Sequence, residues 1–165
     1  MIHSILPMGF TYHFRHMRDG RVLDEWTVKN LMPYEGVDHM LDVLAALSAP
    51  VTSWHIGLYG NDHTPQTADV AATFPAVAGE VITYDGNRPT FAPSPATSGV
   101  LSNAGNEAEF TINAATTVRG GFIASNPSKA SPLGVLLSVV RMPSPRSFEA
   151  GDVVSVAAGL EIIPS

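Results

Sequence analysis

The stretch "FTYHFRHMRDGRVLDEWTVKN", residues 10–30, has the pattern of a β-hairpin and decides the fold class of the chain. Phe10, Tyr12 and Phe14 alternate with polar residues, as in a strand that buries one face. The pair Asp19-Gly20 is typical of a two-residue hairpin turn. The return strand then has apolar residues of its own, Val22, Trp26 and Val28. We therefore predict two antiparallel strands at the start of a mainly β protein.

The next segment, "NLMPYEGVDHMLDVLAALS", predicts one short α-helix at about residues 35–47. Pro33 interrupts the preceding strand, and Glu35 places a negative charge in the first helical turn. The apolar residues recur at helical spacing and would form one face: Val37, Met40, Leu41, Leu44 and Leu47. Because such a stripe requires a sheet beneath it, we expect the helix to cover one face or end of the β structure. Contact of the helix with a partner protein is the alternative.

Further strands and a long loop are predicted between residues 50 and 100. "SWHIGLYG" would place three apolar residues on one strand face: Trp54, Ile56 and Leu58. Residues 61–79 have turn formers and few strand signals, so we predict a long surface loop with at most one helical turn. Residues 80–86, "EVITYDG", resume the strand pattern. The three prolines of residues 88–99 favour an edge strand or an ordered loop.

Strand signals become dense beyond residue 100. They lie in "EAEFTINA", "TVRGGFIAS", "GVLLSVVR" and "DVVSVAAGLEII", with the last two separated by "MPSPRSFEAG". This spacing predicts a single antiparallel β-sandwich of jelly-roll type over residues 10–165. The glycines of "RGGF", residues 119–122, would permit close backbone packing or a bulge.

Residues 1–9, "MIHSILPMG", are predicted to form an N-terminal arm. The segment is apolar, contains Pro7 and Gly9, and would gain order only against a partner. Its candidate partner-binding residues are Ile2, Ile5, Leu6 and Met8. A frayed terminus and an extra edge strand are the alternatives for this segment.

Composition narrows the class of function. Charged residues make up 15% of the chain, against about 25% in an average soluble protein. This shortfall fits either a subunit with much contact surface or a domain that is merely rich in alanine and serine. With a net charge of −6 and no basic run, nucleic acid is not an expected partner. The N-terminus lacks the features of a signal peptide, and no apolar run approaches the roughly 20 residues that span a bilayer. We expect a soluble protein with no membrane partner.

The sequence offers no residue set for catalysis, cofactors or metals. The chain has no cysteine, which excludes disulfides and thiol chemistry. His13 and His16 would point to opposite strand faces, and His39 with Asp42 would supply only two metal ligands. No G-x-S-x-G elbow and no phosphate-binding loop is present. We therefore expect no enzyme activity, no cofactor and no metal.

Five motifs, in the same order, resemble a family of small structural proteins of tailed bacteriophages. "NLMPYEGVDHMLDVL" is similar to the family's N-L-V-x-N-E-G-L-N-x-L-L-D-V, and "WHIGLYGNDHTPQTAD" to W-Y-V-G-L followed by T-P and an Asp. Arg88-Pro89 follows, and then "LSNAGNEAEFTINAATTVRGGFIAS", which resembles S-N-S-A-x-x-A-x-F-T-I-N-A-T-x-T-V-x-G-A-F-L. "EAGDVVSV" matches a closing G-D-x-L-x-V. The resemblance covers nearly the whole chain from Phe10 onward. The chain departs from the family at Met32-Pro33-Tyr34 and at Gly120-Gly121, where the family tends to have Gly-Ala.

This resemblance implies a virion protein. Within that class we expect a head decoration (cement) protein on the outer capsid surface, assembled in the host cytoplasm. Its implied partners are the major capsid protein and further copies of itself, as a homotrimer or homodimer. The alternative is a tail- or fibre-associated protein that binds a receptor through residues 61–79. A polysaccharide hydrolase would need two facing carboxylates, which the sequence does not indicate.

Overall fold

The computed structural model describes residues 8–162, which form two antiparallel sheets packed against each other. The strands are β1 (Met8–Arg18), β2 (Arg21–Lys29), β3 (Trp54–Tyr59), β4 (Thr90–Phe91), β5 (Val100–Ser102), β6 (Ala108–Thr111), β7 (Thr116–Ala124), β8 (Leu136–Phe148) and β9 (Val153–Ile162). Two helices lie in this part of the chain, α1 (Tyr34–Leu44) and α2 (Phe74–Val77). Neither has the length and apolar character needed to cross a bilayer.

The strand order is that of a two-layer sandwich. The first sheet has the order β2-β1-β9-β5, with β6 also paired to β9, and the second has the order β4-β3-β7-β8. Consecutive strands lie in the two sheets as alternating pairs: β1 and β2 in the first, β3 and β4 in the second, β5 and β6 in the first, β7 and β8 in the second. Strand β9 then returns to the first sheet and pairs with β1, from Met8 opposite Ile162 to Met17 opposite Val153. The predicted mainly β fold with an antiparallel sandwich is confirmed.

The N-terminal hairpin also has the predicted form. Asp19 and Gly20 have φ angles of 48° and 72°, as a two-residue turn with both central residues left-handed requires. Phe14 is fully buried, and its ring stacks on Trp26 with centroids 5.6 Å apart. The return strand β2 is the edge of its sheet, so Val22 is half-exposed and does not enter the core.

The core has two parts. The larger lies between the sheets and includes Phe10, Tyr12, Phe14, Ile56, Leu58, Phe110, Phe148 and Leu160. The smaller covers the outer face of the second sheet, where α2 and its flanks place Ala71, Phe74 and Ala78 against Tyr59 and Phe122. The expectation of a surface loop at residues 61–79 is therefore wrong in part, because Ala71, Phe74, Pro75 and Ala78 are buried. For the same reason β3 is buried on both faces, and not only on the face that Ile56 and Leu58 share.

Two other sequence predictions are wrong. Residues 80–86 form only isolated bridges, Tyr59 with Glu80 and Tyr84 with Ile112, because side chains and single backbone contacts hold this segment. Conversely, β8 continues through the predicted separator at residues 142–151 as far as Phe148. Its prolines are tolerated because β8 is an edge strand and its register against β7 shifts at this point.

Asp152 ties the end of β1 to the turn before β9. Its carboxylate accepts hydrogen bonds from Arg18 Nε at 2.6 Å and from the Glu149 N–H at 2.9 Å, and His16 Nε2 lies 2.8 Å from Oδ2. The side chain is buried. The hydrogen bond from the Arg18 guanidinium is the main reason that the pKa of Asp152 lies well below its ordinary value of 3.8. The turn at residues 149–152 is thereby linked to the hairpin.

This lowered pKa predicts a pH dependence of stability. In the unfolded chain Asp152 regains its ordinary pKa, so the ionised group stabilises the fold above about pH 4, and this contribution is lost progressively below that pH. Asp152→Asn should lower the free energy of unfolding by about 2–4 kcal/mol at pH 7. At about pH 2.5 the free energies of unfolding of the variant and of wild type should differ markedly less than they do at pH 7. Urea unfolding at both pH values measures it, and a difference independent of pH would contradict the assignment.

Candidate interaction surface

Helix α1 lies directly on strand β8 through a glycine. Gly36 is buried, and a Cβ atom placed there would lie 2.6 Å from the Leu137 carbonyl oxygen and 2.7 Å from Leu137 Cα. Only glycine therefore allows the helix backbone to approach the strand this closely. Just before the helix, Leu31 exchanges two backbone hydrogen bonds of 2.9 Å with Val139 of β8. The start of α1 is thus fixed against the second sheet.

Glu35 fixes the same end of the helix by side-chain contacts. Its Oε2 accepts hydrogen bonds from the N–H groups of Ala71, at 2.8 Å, and Leu136, at 2.6 Å. The Tyr34 N–H donates to the Thr67 carbonyl at 2.9 Å. One carboxylate therefore joins α1, the segment before α2 and the start of β8, and the helix cannot turn about its axis without breaking these bonds.

The other side of the helix is exposed and apolar. Leu41, Leu44 and Leu47 are 57%, 84% and 79% exposed, and Ala45 and Ala46 are exposed as well. We call Leu41 and residues 44–47 the apolar tip. Four consecutive exposed apolar residues are uncommon on a protein surface unless they bind something.

The expectation that the whole stripe covers the sandwich is therefore wrong. Met40 is one turn from the buried Gly36, and it packs against the main core. Leu41 lies about 140° from Gly36 around the helix, since successive residues differ by about 100°. The glycine contact thus selects which side of α1 meets the sheet, and it turns three of the five predicted core positions outward.

The helix C-terminus holds the tip in a defined conformation. Ala46 has a φ of 58°, the Ala46 N–H donates to the Val43 carbonyl at 3.1 Å, and the Leu47 N–H donates to the Asp42 carbonyl at 2.8 Å. This is the Schellman arrangement, in which the left-handed position usually has glycine. With alanine there, the turn adds another methyl group to the exposed surface. Leu47 is thereby fixed next to the last helical turn.

The charged residues of α1 next to the tip are acidic. No lysine or arginine occurs from residue 30 to residue 87, although Asp62 and Glu80 of this segment pair with Arg141 and Arg88 from outside it. Asp38 and Asp42 are exposed on α1 itself. The surface is therefore an apolar patch with an acidic rim.

The residues that the sequence analysis assigned to partner binding lie elsewhere. Ile2, Ile5 and Leu6 lie outside the described residues. Met8 pairs with Ile162 at the start of β1 and packs partly buried against the core, so β1 begins two residues before the predicted domain start at residue 10. The tip was missed because its leucines were assigned to the core. The signal that could have found it is the run "LAALSAP", residues 44–50, in which one serine is the only polar residue.

Residues 61–79, the site expected for a receptor-binding protein, are packed down on the sheet. His63 Nε2 lies 2.9 Å from Asp69 Oδ2, and the His63 ring meets Phe74 edge-on at 5.5 Å. Beside Phe74 the surrounding side chains, which include Arg88 and Leu136, leave no space for a water molecule. The segment therefore presents no pocket at its buried residues.

Two adjoining depressions, of about 280 and 270 Å³, lie on the outer face of the first sheet. Thr11 and Glu161 line both depressions. Lys29 and Asn30 also line the first, and His13 and Val100 the second, and both depressions are open to solvent. Among residues 8–162 no group of three or more histidine, aspartate or glutamate side chains could hold a metal ion. The apolar tip is the stronger candidate for a functional surface.

Comparison with models of known protein families finds no match to this chain, and comparison with curated proteins finds none either.

Proposed function

We propose that this chain is a structural protein of a tailed bacteriophage particle, a head decoration protein that binds the outer surface of the major capsid lattice. The observation that carries the proposal is the apolar tip. It is a surface that is held at one end by Gly36 and Glu35, and no residue within the described range 8–162 covers it. A protein whose task is to form contacts requires such a surface.

The tip can supply a useful part of a binding energy. Burying an exposed leucine side chain contributes about 1.5–3 kcal/mol, and three of them are available. Association costs offset much of this sum, so a single tip binds modestly. Many copies on a lattice, linked by contacts between neighbouring subunits, would bind far more tightly than one copy does.

The motifs behind the bacteriophage resemblance coincide with residues that hold the fold together. Glu35 anchors α1, Asp69 bonds to His63, Arg88 forms a buried ion pair, and Asp152 ties β1 to the turn before β9. Gly120 lies at the closest approach of β7 and β8. Shared positions of this kind support a shared fold. The function is carried over by analogy and is the part that needs a test.

The charge pattern suits the outer side of a capsid. A net charge of −6 is unfavourable beside packaged nucleic acid and is acceptable on a surface that faces solvent. We propose the major capsid protein and further copies of this chain as partners, with assembly in the host cytoplasm.

The first test is the number of copies of this protein in purified particles, relative to the major shell protein. We expect a ratio near one, or a fixed simple fraction of it, because a decoration protein repeats with the lattice. Quantitative mass spectrometry of purified particles, with the shell protein as internal standard, measures this ratio.

Other ratios would redirect or discard the proposal. A few copies per particle would favour the tail- or fibre-associated alternative, and complete absence from particles would overturn the virion assignment.

A further inference from the structure

We propose that the apolar tip inserts into a groove of the major shell protein that is apolar at its floor and rimmed by lysine or arginine. This inference rests on the proposed function and names the contact through which it acts. It excludes a two-fold contact in which the tips of two copies of this chain meet.

The shape of the tip fits a helix-in-groove contact. Leu41 and Leu44 are three residues apart on α1, and the Schellman turn carries Leu47 to the end of the same exposed region. Leucines at such spacing are the usual anchors when a short helix enters an apolar groove. Because the N-terminal half of α1 is fixed on β8, little order must be gained on binding.

The charges specify the rim of the groove. Asp38 and Asp42 flank the tip, and no cation of the surrounding segment from residue 30 to residue 87 neutralises them. A groove with an uncharged or acidic rim would leave these carboxylates desolvated or facing like charges. A cationic rim removes that cost, speeds the encounter and fixes the orientation of the helix.

The same charges argue against self-association through the tip. A two-fold contact brings the same patch of both copies together. Two tips would bring Asp38 and Asp42 close to their counterparts, with no lysine or arginine on either helix to pair with them. A two-fold contact between copies of this chain would therefore use other surfaces.

Binding of purified protein to shells that lack it tests the inference. Leu44→Ser with Leu47→Ser should weaken binding about 100-fold, as two anchor residues lost at about 10-fold each. The matched control is Leu133→Ser with Ile82→Ser, two residues 66% and 55% exposed away from the tip, which should bind like wild type. All four residues are exposed, so the fold is retained, and circular dichroism checks this.

Charge variants test the rim separately. Asp38→Lys with Asp42→Lys should weaken binding at least 10-fold and reverse the salt response, so that added salt improves the binding of the variant while it weakens that of wild type. Glu109→Lys with Glu161→Lys makes the same charge change at exposed positions of the first sheet and should have little effect.

The outcomes separate this inference from the proposed function. Wild-type protein that fails to bind shells would remove the proposed function itself. If the leucine variant binds shells as tightly as wild type, the tip is not the contact and the inference is wrong. If the leucine variant loses binding but the variant with lysine at positions 38 and 42 does not, the groove has no cationic rim. Light scattering measures the oligomeric state of both proteins. If wild type is an oligomer and the leucine variant is a monomer, the tip is a contact between copies and the inference is wrong.

Discussion

Replacing Gly120 with alanine should destabilise the protein by about 3 kcal/mol or more. A Cβ atom at this position would lie 2.1 Å from the Val140 carbonyl oxygen and 2.4 Å from the Tyr59 ring. The first is backbone of the neighbouring strand β8, and Tyr59 is fully buried beneath α2, so neither can move aside without disturbing the second sheet. Overpacking at such a point costs more than it does in a core that can relax.

The neighbouring glycine provides a matched control. A Cβ atom at Gly121 would lie 3.3 Å from the Gly57 carbonyl oxygen and 3.3 Å from Phe14 Cζ, contacts that shifts of a few tenths of an ångström relieve. Gly121→Ala should therefore change stability by less than about 1 kcal/mol. Urea unfolding followed by tryptophan fluorescence measures both variants, and equal losses would show that the close approach at Gly120 is not the cause.

This difference also bears on the bacteriophage resemblance. The proteins that the sequence resembles tend to have Gly-Ala where this chain has Gly120-Gly121. The structure requires glycine at the first position and leaves nearly enough room for alanine at the second. The departure from that pattern therefore falls at the position where an added methyl group costs least.

The sequence was enough to predict the elements whose structure depends on residues that are close together in the chain. The hairpin was predictable because its turn, Asp19-Gly20, and its alternating strand lie within about twenty residues of each other. The glycines of β7 were predictable as sites of close packing because few other roles place two glycines in a strand.

Contacts between distant residues decided what the sequence could not show. The apolar pattern predicted that α1 is a helix. Which side of α1 faces the sheet depends on Gly36 meeting the Leu136–Leu137 backbone a hundred residues later. Residues 80–86 alternate like a strand, yet no strand of the described chain pairs continuously with them. The sequence therefore showed that Leu41 and residues 44–47 are apolar, but it could not show that they are exposed.

Glu80 and Arg88, at the two ends of the segment at residues 80–88, form a buried ion pair. Both side chains are 1% exposed, and the guanidinium donates two hydrogen bonds to the carboxylate, at 2.8 and 2.6 Å. Arg88 also donates to the Asn126 carbonyl at 2.9 Å, and the Ala130 N–H donates to Glu80 at 2.8 Å. The pair thus replaces the missing strand ladder as the link between this segment and residues 126–130.

Arg88→Met should destabilise the protein by about 3–5 kcal/mol, because it leaves the Glu80 carboxylate buried without its cation. Arg141→Met is the matched control. Arg141 also pairs with a carboxylate, that of Asp62, but their side chains are 34% and 69% exposed, so the loss should be below about 1 kcal/mol. Urea unfolding at pH 7 gives the free energy of unfolding of both variants. Similar losses of stability would mean that burial of the Glu80–Arg88 pair does not raise the cost of breaking it.

A double variant separates the charge from the packing. If the cost of Arg88→Met arises from an uncompensated buried charge, adding Glu80→Leu removes that charge and should recover part of the lost stability. If the cost arises from lost contacts with Phe122, whose ring lies 5.1 Å from the Arg88 guanidinium carbon, the second change should lower stability further. We expect recovery, since a desolvated carboxylate costs more than the contacts that a methionine of similar length fails to make.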